Sequence, residues 1–318
     1  MLVAYVHALK CLRVLLADRV TAQTPDTLCA IYIVMLCQSW IGNPDDKLVG
    51  HSEAVVHILN CIAVNRWKGH FENQLFMTLS LSVLPESIYN PAIRPGPWFQ
   101  RIVDNFSVYK TTSQKNGGPG PAVGVLTLMR LVEFVRDQQG DIGDIQAGYD
   151  AMFHQTAQAR ENLARMFASQ GSHRNNPGNP NPMVPGGAEM EKIRLLCQAQ
   201  YALLLSATML VNGVLSAIMP SNAEIPKQVA GYPDELVELT RQTAKYKPIG
   251  SGFMPTCLLM ACATTTDRSH MAKMTGALAE YGTGAMESKW GYWASQMRSQ
   301  FQDMRFKMSL MRLEGSLV

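Results

Sequence analysis

Apolar side chains recur at helical spacing along almost the whole chain. Leu2, Val6, Leu9, Leu12 and Leu16 mark one face of an opening helix. Thr24-Pro25-Asp26 then supplies an N-cap, a proline at the first helical position and an early carboxylate. Residues 28–41 are apolar nearly all round, the pattern of a buried helix, until Gly42-Asn43-Pro44 stops them. A third helix is expected over 46–64, with Val49, Val56 and Leu59 inward, and a fourth over 71–84, ended by Pro85. Residues 85–97 hold four prolines and read as a crossing loop. The pattern predicts further helices over 98–110, 123–138 and 145–168, the last with Tyr149, Met152, Phe153, Leu163, Met166 and Phe167 inward. Residues 169–187, rich in Pro, Gly and Asn, carry no apolar period and read as a flexible loop. Helices resume at 188–219, 234–246, 253–263, 267–281 and 285–312.

No stretch alternates as a strand would, and no repeat of fixed period recurs. The expected fold is therefore all-α, an irregular multi-helix array of roughly 9–12 helices with no significant sheet. Its expected organisation is an N-terminal helical half, 1–168, the loop 169–187, and a C-terminal helical half, 188–318.

Composition narrows this picture. Apolar residues make up 47% of the 318 and charged residues 17%, which suits a sizeable buried core and excludes a disordered chain. The net charge of +3 is too mild to suggest nucleic-acid binding. The 19 methionines suit an adaptable helical interior. Seven cysteines, an odd number without any C-x2-C, suit reduced thiols in an intracellular protein, nuclear or cytoplasmic. Lys10 and Arg13 interrupt the opening apolar stretch where a secretory signal would be clean. Residues 195–219 carry no charge. Their Gln198, Gln200, Ser206, Thr208, Asn212 and Ser216, and the lack of aromatic belts, favour a buried central helix over a membrane span. No membrane partner is expected.

Recognisable catalytic signatures are absent. The chain has no G-x-x-x-x-G-K, no G-x-G-x-x-G, no G-x-S-x-G and no H-E-x-x-H. Asp45-Asp46 reads as a turn before a helix. Asp141, Asp144 and Asp150 lie around a helix start, where carboxylates complement the macrodipole. His51 and His57 are six residues apart and point to different helix faces, so neither a metal nor another cofactor is expected. Arg298, Arg305, Lys307 and Arg312 alternate with Glu287, Asp303 and Glu314, as on a solvated helix face.

Two regions resemble a known family. Asp26-Thr27-Leu28 opens a buried helix that ends near Gln38-Ser39-Trp40. After a turn come His51-Ser52-Glu53-Ala54 and Val55-Val56-His57-Ile58-Leu59. Later, Leu258-Leu259-Met260-Ala261-Cys262 precedes Asp267-Arg268 and Lys289-Trp290-Gly291. This resembles the regulatory domain of fungal zinc-cluster transcription factors, with Gln38 where the family often has Glu and Ala54 where it often has Gly. The resemblance marks His51 and Arg268 as structural family positions. The family reads DNA through a six-cysteine cluster holding two zinc ions, and a C-x2-C-x6-C segment is absent from these residues. The polypeptide is therefore expected not to bind DNA sequence-specifically by itself.

The resemblance implies a regulatory domain responsive to a ligand or a partner. Its expected partners are an apolar small molecule, held between Met- and Leu-rich helices, and proteins of the transcription machinery. The alternative is a co-opted pocket enzyme, a cyclase or isomerase of fungal secondary metabolism on the same scaffold. For either, the polar or aromatic residues expected to line a pocket are His51, Trp67, Trp98, Tyr201, His270 and Trp290. No catalytic residue is assigned. His51 also has a structural reading, pinning its helix to the preceding buried one.

Overall fold

The computed structural model describes residues 2–41, 51–65, 69–90, 92–113, 122–137, 141–173, 187–247, 250–281 and 285–313. Among them every regular element is helical, as the periodicity predicts, and no strand occurs. Among the described residues thirteen α-helical segments occur, one of them the five-residue α9, in keeping with the expected array of roughly 9–12 helices. The chain divides into two compact units, Met1–Ile145 with Gly282–Tyr292, and Gln146–Tyr281 with Trp293–Val318. This differs from the expected break after residue 168. Helix α7 runs unbroken over Ile142–His173, so residues 169–173 continue a helix, and 174–186 lie outside the described residues.

The first unit holds α1 (Leu2–Ala17), α2 (Pro25–Ile41), α3 (His51–Asn65), α4 (His70–Tyr89), α5 (Pro97–Ser113) and α6 (Ala122–Asp137). Helix α2 begins as its sequence dictates: the Thr27 N–H donates to the Thr24 hydroxyl at 3.3 Å, with Pro25 at the first helical position. The expected start of α3 at residue 46 falls outside the described residues, which resume at His51. Helices α3 to α6 pack pairwise around Leu59, Ile62, Phe76, Leu79, Trp98 and Leu131, all fully buried. Arg101 of α5 binds them with its cation: Nη2 donates to Asn73 Oδ1 at 2.7 Å and the guanidinium lies 4.5 Å from the Phe76 ring centre.

Helix α4 contradicts one expectation. Pro85 does not end it; the helix continues to Tyr89. The turn beyond the proline is held by tertiary contacts that no local rule reveals. Ile88 is fully buried, and Glu86 accepts hydrogen bonds from Ser52 Oγ at 2.6 Å and Asn90 Nδ2 at 2.8 Å.

The second unit holds most of α7, then α8 (Gly187–Ile218), α9 (Glu224–Gln228), α10 (Tyr232–Thr243), α11 (Met254–Thr264), α12 (Arg268–Ala279) and most of α13 (Ala285–Leu313). Helix α8 is its axis, packed against α9, α10 and α11. By length and composition α8 could cross a membrane, but 89% of its apolar stretch is buried inside the protein. That is the buried central helix expected for 195–219. Gly213 on α8 lets the fully buried Phe301 of α13 approach: a Cβ there would lie 2.9 Å from Phe301 Cζ.

Candidate functional site

Helix α10 sorts its residues sharply. Leu236, Val237, Leu239, Thr240 and Thr243 are buried, while Asp234, Glu238 and Arg241 face solvent. Pro233 and the two carboxylates Asp234 and Glu235 occupy its first turn, where acids complement the helix dipole. Helix α12 starts alongside, capped by Asp267, whose Oδ1 accepts the His270 N–H at 2.8 Å. Lys273 Nζ then donates to Asp234 Oδ1 across the seam at 2.7 Å. His270 stands between two carboxylates, with Nε2 3.4 Å from Asp234 Oδ2 and Nδ1 3.6 Å from Asp267 Oδ1. The Lys273 hydrogen bond holds the Asp234 carboxyl below the usual carboxylate range, and the His270 backbone N–H does the same for Asp267.

Beyond this strut the two helices leave a solvent-open cleft of about 260 Å³. The buried Val237, Thr240 and Ala277 and the exposed Ala272 and Gly276 line it. Its rim carries Arg241, Lys273 and Glu280. Gly276 opens the gap: a Cβ added there would meet nothing within 4 Å. Each polar group of the lining has a partner. The Thr240 hydroxyl donates to the Leu236 carbonyl at 2.8 Å, and Arg241 Nη1 to Glu238 Oε2 at 3.3 Å. Lys247 Nζ donates to the Glu280 carbonyl at 2.8 Å and lies 4.0 Å from its carboxylate.

Behind α10 a second set of contacts fixes it to α7 and α8. Arg160 grips Glu235 with both ends of its guanidinium, Nε to Oε2 at 2.9 Å and Nη2 to Oε1 at 2.6 Å. Arg160 Nε also donates to Tyr201 OH at 2.8 Å, and the Tyr201 hydroxyl donates to Glu235 Oε2. Burial, and then the carboxylate acceptor, push the Tyr201 phenol well above its ordinary value. Burial likewise pushes Tyr232 up to about 12. The Tyr232 ring stacks on Phe153, with centres 6.4 Å apart and planes 14° from parallel. Asn212, inside α8, donates to Tyr149 OH at 2.8 Å and to the Ile225 carbonyl at 2.6 Å, while Tyr149 donates to Gln228 Oε1 at 2.8 Å. These groups are struts between helices.

The expected pocket residues are divided between the two units. Trp98 is fully buried in the first unit, its indole N–H donating to the Arg94 carbonyl at 3.2 Å and its backbone N–H to Asn60 Oδ1 at 3.3 Å. Trp290 is buried in the same unit, at the start of α13. Tyr201 and His270 belong to the second unit and bond to Glu235 and Asp234, neighbours on α10, yet neither lines the cleft. His51 opens α3 but its side chain, like all of Trp67, lies outside the described residues. Arg268 opens α12 on an exposed face. Sequence reasoning missed Arg241, Lys273, Gly276 and Glu280. The available signal was a glycine within a helix at i, i+4 spacing from Ala272, which leaves a flat, open patch.

Among the described residues no three His, Cys, Asp or Glu side chains group as a metal site. Compared with protein families, curated proteins and solved structures, the chain matches none.

Proposed function

We propose that this chain is a regulatory domain of the type found in fungal zinc-cluster transcription factors, responsive to a ligand or protein partner. The cleft between α10 and α12 carries this reading. It is a solvent-open surface where Lys273 and Thr240 are hydrogen-bonded to neighbours and the Glu280 carboxylate lies 4.0 Å from the Lys247 ammonium. Such an open surface of apolar and charged groups is suited to docking a ligand or a protein partner. The resemblance over residues 26–59 and 258–291, and the all-helical scaffold, support the same class. The mild net charge supports a domain that acts through partners, with few phosphate contacts of its own.

Fusion of the full chain to a heterologous DNA-binding domain tests the proposal. Transcription of a matched reporter should differ severalfold from that given by the DNA-binding domain alone. Equal output from the two, across growth conditions, would overturn the regulatory reading.

A further inference from the structure

Helix α13 is held in one rotation against α8. Phe301, Met304 and Met308 are buried, with Phe301 against Gly213, and Ser309 Oγ donates to the Ala217 carbonyl at 3.4 Å. That rotation turns Phe306, Leu310 and Leu313 outward, 65%, 42% and 81% exposed. Spaced i, i+4 and i+7, they form an apolar stripe about two turns long. Three large apolar side chains in a row, unlike scattered ones, mark a contact surface.

Charge says what covers it. Residues 295–313 carry four cations, Arg298, Arg305, Lys307 and Arg312, and one carboxylate, Asp303. At about 100° per residue, Arg305 borders the stripe on one side, with Arg298 seven residues back on nearly the same line, and Lys307 borders it on the other. Among the described residues Arg298, Arg305 and Lys307 form no ion pair. Arg305 is half-buried, its Nε shielded from solvent and without an acceptor, and desolvation holds its proton affinity below the ordinary guanidinium value. Arg160 in the same unit is the opposite case, gripped to Glu235 and shifted upward. We infer that this face of α13 docks an acidic amphipathic helix of a protein partner, its apolar residues on Phe306, Leu310 and Leu313 and its carboxylates on Arg298, Arg305 and Lys307. An anionic bilayer fits less well, because three apolar residues beside Ser299, Gln302 and Asp303 give little to bury among acyl chains. This face shares no residue with the α10–α12 cleft, so the inference stands apart from the regulatory reading.

The probe is a fluorescein-labelled peptide of about sixteen residues, with leucine at i, i+4, i+7 and i+11 and glutamate on the flanks of that stripe, titrated with the full chain and read by anisotropy. It should bind saturably, with a dissociation constant of about 10–100 µM, and severalfold more weakly at about 0.5 M than at about 0.05 M sodium chloride. The same peptide with lysine for glutamate, or with serine for leucine, should bind at least severalfold more weakly. Phe306→Ala combined with Leu310→Ala should weaken the acidic peptide severalfold. Both residues are exposed, so the melting temperature should hold, separating a lost contact from a lost fold. Arg305→Gln should weaken binding and flatten its salt dependence. Absence of saturation up to about 1 mM would overturn the inference. So would a lysine peptide that binds as tightly, or acidic-peptide binding undiminished in the folded double variant. Sedimentation of the chain with phosphatidylserine–phosphatidylcholine vesicles, lost in the double variant, would overturn it in favour of a membrane. The reporter does not enter these measurements, so either reading can fail while the other stands.

Discussion

A Cβ built on Gly213 would lie 2.9 Å from Phe301 Cζ and 3.0 Å from Cε1, whereas one built on Gly276 meets open space. Both glycines sit inside helices, where alanine is intrinsically favoured by about 1 kcal/mol. The two substitutions should therefore move stability in opposite directions. Gly276→Ala should raise it by about 1 kcal/mol. Gly213→Ala should lower it, because the buried Phe301 ring must give way at a cost of about 1–3 kcal/mol, exceeding the propensity gain. Thermal unfolding of the two variants checks the pair. Burial also sets proton affinities. Desolvation pushes the Cys257 and Cys262 thiols up to about 12 and Tyr232 to about 12, with Tyr201 higher still. A group that holds its proton more tightly when folded adds stability below its unfolded value and loses it as the pH climbs toward the folded one. The melting temperature should thus fall as pH rises from about 9, the ordinary thiol value, through about 10, the ordinary phenol value, toward 12. In the same buffers a thiol reagent should modify the exposed Cys11 first and Cys257 and Cys262 only on unfolding. Early reaction at Cys257 would contradict the packing of α11.

At the scale of elements, α8 shows how a nearly uniform apolar helix acquires one orientation. Asn212 bonds Tyr149 of α7 and the Ile225 carbonyl of α9 from a site only 4% exposed. Asn212→Ala leaves that carbonyl and part of the Tyr149 hydroxyl unsatisfied, at about 1–3 kcal/mol. This should appear as a melting temperature lower by several degrees, and an unchanged value would remove Asn212 from the frame. The elements also show which features a sequence can reveal. The caps at Thr24 and Asp267 are fixed by residues within three positions, so the start of α2 was readable to the residue and that of α12 nearly so. The fate of Pro85 was not, because the turn after it depends on Ser52, thirty-four residues away. The cleft was illegible for a related reason. Arg241 and Lys273 look like ordinary solvated charges until α10 and α12 are set side by side, and Gly276 looks like a weak helix former. Tyr201 and His270 were expected to line a pocket; in the structure they contact Glu235 and Asp234 and serve as struts for α10.

At the scale of the molecule, periodicity made the all-helical class legible, because a 3.6-residue period is a local property of the chain. The division into units was not, since it depends on which helices meet: α7 spans the expected break, and residues 282–292 return to the first unit. We propose that the domain responds to its ligand or partner through the surface between α10 and α12 of the second unit. The most direct measurement is reporter output from the full chain tethered to DNA, compared between the natural sequence and Gly276→Leu, with the melting temperature of both proteins recorded. Filling the cleft should change output severalfold while the melting temperature does not fall. Output that stays the same in a folded Gly276→Leu protein would contradict the claim.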